Sequence, residues 1–198
     1  EKINDEDVEC EMPPTLYKKY IHEILSPSSN NILVLQDLHI PFQDNDSVEL
    51  ALEYGKQHNI NTVILNGDVI DFYGLSRFVR DPKFRDVKFD FHYTRIFLKV
   101  LRKKFPKARI YFKTGNHEER FKHYLFNNAP EFANVIFLEE LLKLSDFSID
   151  FIDEKRPIKA GKLFILHGHE LYSGAGTVNV ARTIRLKTNE NTLIGHFH

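Results

Sequence analysis

Short apolar runs rich in β-branched residues alternate along this chain with longer stretches whose apolar residues recur at helical spacing. The short runs predict buried strands at residues 32–35, 63–65, 110–112, 163–166 and 193–194. Helical spacing predicts helices over residues 48–57, 89–105, 118–126 and 176–186. Asp46, with Glu49 three residues on, is the expected cap of the first helix. This alternation favours right-handed βαβ units and a mostly parallel sheet.

Three further segments carry weaker patterns. Residues 149–152 and 157–162 are expected to form an added hairpin or edge pair. Residues before 30 combine an acidic stretch with helical apolar spacing over 15–25. Because no repeat or linker interrupts the remainder, we predict an acidic tail and N-terminal helix in 1–29, followed by one domain in 30–198.

The composition is that of an ordinary globular protein. The 198 residues are 42% apolar and 28% charged with a net charge of −1, so the whole molecule is not a general binder of polyanions. The single cysteine, Cys10, excludes a disulfide framework and a thiolate metal site, and it suits a reducing compartment. No run approaches the ~20 apolar residues of a membrane span, and the acidic N-terminus lacks a signal-peptide pattern. We therefore expect a cytoplasmic protein without a membrane partner. Since the chain does not begin with Met and stops on a histidine, both ends are expected to be trimmed.

Charge is segregated along the chain despite the near-neutral total. Residues 77–113 hold thirteen Lys or Arg and three Asp, whereas residues 1–12 hold six acids and one Lys. One interpretation is a solvated helix face together with an acidic tail. The other is a basic wall that attracts an extended substrate bearing phosphates.

Five short blocks carry side chains that commonly bind metal ions. They are Asp37-Leu38-His39, Gly67-Asp68-Val69-Ile70-Asp71, Gly115-Asn116-His117-Glu118, His167-Gly168-His169 and Gly195-His196-Phe197-His198. Each lies at the end of a predicted strand. Because the carboxyl ends of strands in an open α/β sheet meet at one crevice, these blocks are expected to converge there. One block alone has a plain interpretation as a turn or a helix cap. All five together, in order, indicate a shared metal site.

The ordered set resembles that of the calcineurin-like metallophosphoesterases, whose pattern is D-x-H, G-D-x-x-D, G-N-H-D/E, H and G-H-x-H. All five elements are present between residues 37 and 198. The resemblance implies that residues 30–198 form a metallophosphoesterase catalytic domain. It further implies an α/β fold, an αββα sandwich of two mixed sheets flanked by helices, with the last strands of the fold expected to be missing after His198.

The resemblance also implies roles for individual residues. The implied ligands are Asp37, His39 and His198 for the first metal ion, and Asn116, His167 and His196 for the second. Asp68 would bridge the two ions. His117 would meet the substrate phosphate and assist the leaving group, oriented by Asp71. His169 and Glu118 are either supporting or purely structural residues, and His169 is also a candidate substrate contact.

The donor chemistry agrees with a pair of divalent metal ions. Imidazole, carboxylate and amide ligands suit Mn, Fe, Zn, Co or Ni, of which we favour Mn. Two such ions carry more charge than Asp37 and Asp68 neutralise, so the site attracts anionic oxygen. Ions about 3.5–4 Å apart can hold a hydroxide between them. The expected reaction is in-line attack of this metal-bridging hydroxide on phosphorus, with His117 protonating the leaving group.

Two segments near the blocks are candidates for substrate binding. The glycine-rich turn 173–176 precedes a predicted helix that contains Arg182, and its backbone N–H groups could hold an anion. A helix-capping loop explains the same residues. Residues 72–91 mix aromatic and basic side chains, including Arg80, as a nucleotide site would. A basic surface loop explains that composition equally well. Arg120 is expected to be a surface helix residue.

The sequence therefore predicts a metal-dependent phosphoesterase, a hydrolase acting on ester bonds. The leading interpretation is a phosphodiesterase that acts on a nucleotide or nucleic acid, such as a nuclease. The alternative is a phosphomonoesterase acting on a phosphoprotein or small metabolite, because Gly-Asn-His-Glu also occurs in the Ser/Thr phosphatase branch. A binding scaffold without activity is more remote, since no ligand position of the pattern is lost. The oligomeric state is not predicted.

Overall fold

The computed structural model describes residues 22–79, 81, 83, 86–153, 156–171 and 179–197. Within them, four strands form sheet I in the order β2-β3-β4-β5. They are β2 (Ile32–Leu35), β3 (Thr62–Asn66), β4 (Arg109–Lys113) and β5 (Ile149–Ile152). Every pairing in this sheet is parallel, as the alternation of strands and helices predicts.

Sheet II has the strand order β1-β6-β7-β8. Its strands are β1 (Glu23–Ile24), β6 (Ile158–Ala160), β7 (Leu163–Leu166) and β8 (Asn191–Ile194). The pair β6–β7 is antiparallel and the other two pairs are parallel, so this sheet is mixed.

The hairpin predicted for residues 149–152 and 157–162 is wrong. Residues 149–152 are β5, which pairs with β4 in sheet I, and β6 pairs with β1 and β7 in sheet II. β5 buries Ile149 on one face and Ile152 on the other. Burial on both faces is usual for a strand of a parallel sheet covered on two sides. The apolar pattern identified the strands but not their partners.

Five α-helices are present in the described residues. They are α1 (Asn45–Gln57), α2 (Val87–Lys104), α3 (Asn116–Asn128), α4 (Leu138–Leu141) and α5 (Val180–Thr188). Asp44, not Asp46, caps α1, because its carboxylate accepts the Ser47 N–H at 2.8 Å. α5 begins at Val180 with Asn179 as its cap, and the part of the predicted helix before residue 179 lies outside the described residues.

The N-terminal prediction is only partly covered by the described residues. Residues 1–21 lie outside them, so the acidic tail and most of the predicted helix remain predictions. Glu23–Ile24, at the end of that predicted helix, instead form β1. The free edge of β6 explains the difference, since Glu23 N–H donates to Pro157 O at 2.9 Å and Leu25 N–H to Lys159 O at 3.0 Å. No helix among the described residues is both long and apolar enough to cross a bilayer.

Two apolar layers cover the faces of sheet I. Val63, Leu65 and Ile110 pack with Leu98 and other helix residues on one face. On the opposite face, side chains of sheet I meet side chains of sheet II, namely Ile64, Tyr111 and Ile152 with Ile158 and Ile165. The two sheets are thus packed face to face, with helices outside. This packing brings strand ends of both sheets to one edge.

Candidate metal centre

The motif segments meet at the carboxyl ends of strands from both sheets. His39 N–H donates to Asp68 O at 2.9 Å, and His117 N–H donates to Asp68 Oδ1 at 2.9 Å. In sheet II, Gly195 N–H donates to His167 O at 2.9 Å. The loops after the strands are therefore fixed to one another by their backbones, which holds the side chains between them in place.

Two groups of ligand-type side chains form where these segments meet. One consists of His39, Asp68 and His117, and the other of Asp68, His167 and His196. Within each group the donor atoms lie within 4.8 Å of one another. Imidazole and carboxylate donors suit borderline divalent cations, and a carboxylate common to both groups is what a pair of cations requires. The residues present therefore fit two divalent metal ions.

Asn116 and Asp37 lie beside the second group. Asn116 Oδ1 is 3.1 Å and Asp37 Oδ1 is 4.0 Å from His167 Nε2. The two oxygens of Asp37 also accept the His196 N–H, at 3.0 and 3.1 Å. The first motif of the chain is thus bonded to the last. Both residues add an oxygen donor next to His167 Nε2.

Asp68 and His167 form a buried charged pair. Their side chains are 2% and 0% exposed, and Asp68 Oδ2 lies 3.2 Å from His167 Nε2. Burial disfavours charge on both groups. Their mutual attraction outweighs burial, which lowers the pKa of Asp68 to about 2 and raises the pKa of His167 to about 9. Asp68 is therefore ionised at neutral pH, and ligation through His167 requires loss of its proton.

The imidazole of His167 is oriented by the protein behind it. Its Nδ1–H donates to Asn66 O at 2.8 Å. A hydrogen bond of this kind fixes the tautomer of a metal-binding histidine and leaves the other nitrogen as the ligand atom. The free ligand atom of His167 is consequently Nε2, which faces Asp68 and Asn116. Burial lowers the pKa of neighbouring His196, as does the charge of His167.

A second hydrogen-bonded chain surrounds His117. Its Nδ1–H donates to Asp71 O at 2.8 Å, and Arg120 Nη2 donates to its Nε2 at 2.7 Å. Asp71 Oδ2 accepts the Nδ1–H of His39 at 3.0 Å. Burial opposes ionisation of Asp71, but its contacts with His117 and His39 lower its pKa. Asp71 thus orients His117 through its backbone and His39 through its side chain.

His39 and His117 both turn Nε2 towards Asp68 Oδ2, at 3.9 and 3.7 Å, but differ in the protein groups that bind their rings. Because a guanidinium can only donate, His117 Nε2 accepts from Arg120, and both of its ring nitrogens are engaged by protein groups. In His39 it is Nδ1 that bonds to a carboxylate, that of Asp71, while Nε2 faces Asp68. The arrangement favours His39 as a ligand and His117 as a non-ligand residue at the edge of the centre.

Glu118 joins the second and third motifs. Its buried carboxylate accepts four backbone N–H groups, from Asp68, Val69, Ile70 and Gly115, at 2.7–3.1 Å. Burial and the charge of Asp68 raise its pKa, whereas the N–H donors favour the carboxylate. Glu118 is therefore a structural anchor that fixes the loop carrying Asp68.

The backbone around the ligands is unusually constrained. Asp37, His39, Asp68 and His196 all have φ between 49° and 68°. Residues other than glycine adopt this left-handed region at a cost of about 1–2 kcal/mol, although Asp and His tolerate it better than most. Such conformations are retained where the surrounding structure requires them, commonly at functional sites. Gly115 is needed for a related reason, because a Cβ there would collide with the Asp68 carboxylate.

Comparison with known proteins identifies the family. The sequence model of the calcineurin-like phosphoesterases matches residues 31–196, most of the chain. The chain belongs to this family. The calcineurin-like phosphoesterase is also 26% identical over 179 residues to the Gene 54 protein of Mycobacterium phage L5, covering 86% of this chain and 69% of that protein. The Gene 54 protein of Mycobacterium phage D29 is 25% identical over the same coverage.

Family membership confirms the broad predictions made from sequence. The protein is a metal-dependent phosphoesterase, a hydrolase of phosphate esters. Its two packed sheets flanked by helices are the expected fold class. The family implies divalent metal ions, and the two donor groups around Asp68 are where they would bind.

The structure brings most of the predicted site residues that it describes together. Those brought together are Asp37, His39, Asp68, Asp71, Asn116, His117, His167 and His196. His169 is adjacent, with its ring centroid 5.3 Å from that of His167 and its Nε2 3.0 Å from Glu119 Oε1. Arg182 is exposed in the first turn of α5. Arg80, His198 and the turn 173–176 lie outside the described residues.

Sequence reasoning missed several residues that build the centre. Arg120, expected at the surface, has an 18% exposed side chain and bonds His117 and Asp71. Asn66 and Lys113 were not singled out, although each ends a buried strand with a polar side chain. For Asn66 and Lys113, the sequence does offer one indication, namely a polar residue directly after the apolar residues of a predicted strand.

Proposed function

We propose that this calcineurin-like phosphoesterase hydrolyses phosphodiesters of a nucleotide or nucleic acid with two divalent cations, Mn²⁺ being favoured. The observation that carries the proposal is the position of Asp68 in both donor groups. A shared carboxylate supports a dinuclear site in which both ions act on one phosphate.

The proposed ligands follow from the donor groups and the family pattern. They are Asp37, His39, Asp68, Asn116, His167, His196 and His198. When bound, the cations supply Lewis-acid activation of water and neutralise charge on the phosphate. The chain itself supplies the orientation: Asn66 turns the His167 ring, Asp71 turns the His39 ring, and Glu118 holds the loop of Asp68.

We assign the leaving-group side of the reaction to His117 and Arg120. Asp71 O accepts hydrogen bonds from both, which holds the imidazole and the guanidinium next to each other. A phosphate that draws the guanidinium away from His117 leaves Nε2 able to hold a proton for the departing oxygen. The arginine charge then faces the charge that develops on the phosphate.

Exposed aromatic side chains in the segment that follows Asp71 support a nucleotide or nucleic acid substrate. Phe78, seven residues after Asp71, is 60% exposed, with the Arg77 guanidinium 5.2 Å from its ring centroid. On α2, the exposed rings of Phe89 and Tyr93 stack at 6.0 Å. Aromatic rings beside basic side chains bind bases by stacking while the cations meet phosphates.

The basic segment 77–113 contributes less surface charge than its sequence suggests. Arg102 donates to the backbone oxygens of Phe147 and Ser148, and Lys104 pairs with two glutamates of α1. Lys113 is fully buried. Several cations thus serve the fold, so the aromatic side chains support the substrate proposal better than net charge does.

A phosphomonoester is the second candidate, and Arg120 is the observation that favours it. A monoester phosphate is a dianion near neutral pH, whereas a diester carries one negative charge. The fixed positive charge of Arg120 beside the centre therefore favours a monoester over a diester. His169 and Arg182 stay predicted substrate contacts, together with Arg80.

The deciding experiment compares turnover of bis-p-nitrophenyl phosphate with that of p-nitrophenyl phosphate by the Mn²⁺-loaded protein. Faster diester turnover is expected, followed by cleavage within a panel of cyclic nucleotides, RNA and single- and double-stranded DNA. Preference for the monoester would overturn the proposal and favour the second candidate. Asp68→Asn serves as the control for contaminating activity.

A further inference from the structure

A buried ion pair lies behind the metal centre and outside its predicted ligands. Lys113 Nζ is 2.7 Å from Glu170 Oε1, and the two side chains are 0% and 4% exposed. Lys113 ends β4 on the face that Tyr111 turns towards sheet II. Glu170 follows β7 in the 3₁₀ turn His169–Leu171. The pair therefore connects the two sheets at the edge where the metal centre forms.

Glu170 contacts the backbone of the segment that carries His167. Its two carboxylate oxygens accept the N–H of His167 at 3.1 Å and of Gly168 at 2.6 Å. Burial opposes the charge of this carboxylate, and the Lys113 ammonium 2.7 Å away offsets that cost. Lys113 thus keeps an ionised acceptor beneath these two N–H groups.

The neighbouring strand holds the same segment at different atoms. Asn66 is the register partner of Lys113. Asn66 Nδ2–H donates to Leu166 O at 2.8 Å, and Asn66 O accepts the His167 Nδ1–H at 2.8 Å. Asn66 therefore fixes the rotation of the ring, while Lys113 and Glu170 fix the backbone from which the ring projects.

Stability alone does not account for an ion pair at this position. Burying two charges is unfavourable, and apolar residues of similar volume are often as stable or more so. Apolar side chains such as Ile64 and Ile165 fill the rest of the contact between the sheets. An apolar pair could not, however, accept the N–H groups of His167 and Gly168.

We propose that Lys113 and Glu170 are positioning residues that hold His167 Nε2 towards Asp68 for a divalent cation. Removing an outer partner of a metal ligand typically lowers metal affinity about 10–100-fold. The inference concerns the binding of the cation and is independent of which ester is cleaved. If the protein turned out to cleave a different ester, the expected effect of these two residues on Mn²⁺ affinity would be the same. Failure of the substrate proposal and failure of this one are therefore distinguishable.

The test measures Mn²⁺ affinity by calorimetric titration of the full chain, together with its thermal unfolding. In the double variant Lys113→Met/Glu170→Met both charges are absent, so no buried charge is left unpaired and the protein should still fold. Its unfolding temperature should fall moderately, because the N–H groups of His167 and Gly168 lose their acceptors. Mn²⁺ affinity should nevertheless fall about 10–100-fold, and the absorption spectrum of bound Co²⁺ should change. Wild-type Mn²⁺ affinity in the folded double variant would overturn the proposal.

Glu170→Gln decides the matter even if the double variant does not fold. This substitution keeps the size of the side chain and one acceptor oxygen but removes the charge, so a measurable fall in Mn²⁺ affinity is expected. Unchanged affinity would overturn the proposal. Arg109→Met is the matched control, because Arg109 lies on the same strand and forms a 2.9 Å ion pair with Asp150 at the surface. An equal fall in that control would also reject the specific role.

Discussion

Nη2 of Arg120 donates to Nε2 of His117 at 2.7 Å, so the imidazole that we propose for the leaving-group side is paired with a permanent cation. The spacing of the two residues, three positions apart at the start of α3, places them on one helix face. Asp71 O holds both through hydrogen bonds of 2.8 and 3.0 Å. His117 and Arg120 therefore form one structural unit.

Removing the charge of Arg120 should slow hydrolysis without releasing metal. We expect Arg120→Gln to lower kcat by about 10²–10³-fold, the usual effect of losing one donor aimed at developing charge. Lys122→Gln, two residues further along α3 and exposed, is the control and should retain wild-type kcat. Equal kcat values in both variants would show that Arg120 only supports the fold.

His117→Ala should retain both metal ions and lose rate, most severely on substrates with poor leaving groups. Loss of a proton donor typically costs about 10²–10⁴-fold in rate, and a leaving group of low pKa needs it least. Kinetics on a series of aryl phosphate esters, with metal content measured in parallel, checks this. Loss of a metal ion would instead identify His117 as a ligand, in keeping with its place beside His39 and Asp68.

Asp68→Asn should remove metal binding and nearly all hydrolysis. Asp68 belongs to both donor groups, so one substitution weakens both sites at once. Measuring Mn²⁺ content after gel filtration, alongside turnover, tests the expectation. A variant that kept two ions and wild-type turnover would exclude Asp68 as the shared ligand.

Glu118→Gln should destabilise the fold and, through it, the loop that carries Asp68. A neutral amide cannot accept all four N–H groups now bonded to the carboxylate, and one amide N–H would oppose them. We expect the free energy of unfolding to fall by about 3 kcal/mol. Denaturant unfolding measures this, with the exposed Glu131→Gln as a variant that should not differ from the wild type.

Asp90 should make stability fall as pH rises. Asp90 lies on α2 and is 4% exposed, and its Oδ2 has no hydrogen-bond partner in the described part of the chain. Burial raises its pKa from 3.8 to about 7, and the charges of Asp71 and Asp86 add to this increase. Between pH 3.8 and about 7, the carboxyl group of Asp90 is protonated in the folded protein but ionised in the unfolded chain. The free energy of unfolding therefore decreases as pH rises through this range, and the stabilisation present below pH 3.8 is lost once pH passes about 7.

Asp90→Asn removes this titration and should unfold at a higher temperature than the wild type above pH about 7. At pH below 3.8 the two proteins should differ little, because the wild-type carboxyl is then neutral. Thermal unfolding across this range checks the expectation. A difference that did not change with pH would contradict it, and the exposed Asp146→Asn provides the comparison for a general charge effect.

The sequence by itself determined the family, the reaction class and the strands that carry the ligand blocks. Those features depend on local order: an apolar run followed by Asp, Asn or His at its carboxyl end is readable without coordinates. Residues 149–152 and 157–162 show the limit, because an apolar pattern identifies a strand but not the strand with which it pairs.

Tertiary structure alone decided which polar residues support the centre. Each of Arg120, Asn66, Lys113 and Glu170 has a partner on another element of the fold. The separation reaches 101 positions for Asn66 O and His167 Nδ1. A polar side chain acquires such a role only when folding removes it from water and leaves one partner within reach. Long-range contacts of this kind are set by the packing of the two sheets, which a local pattern does not encode.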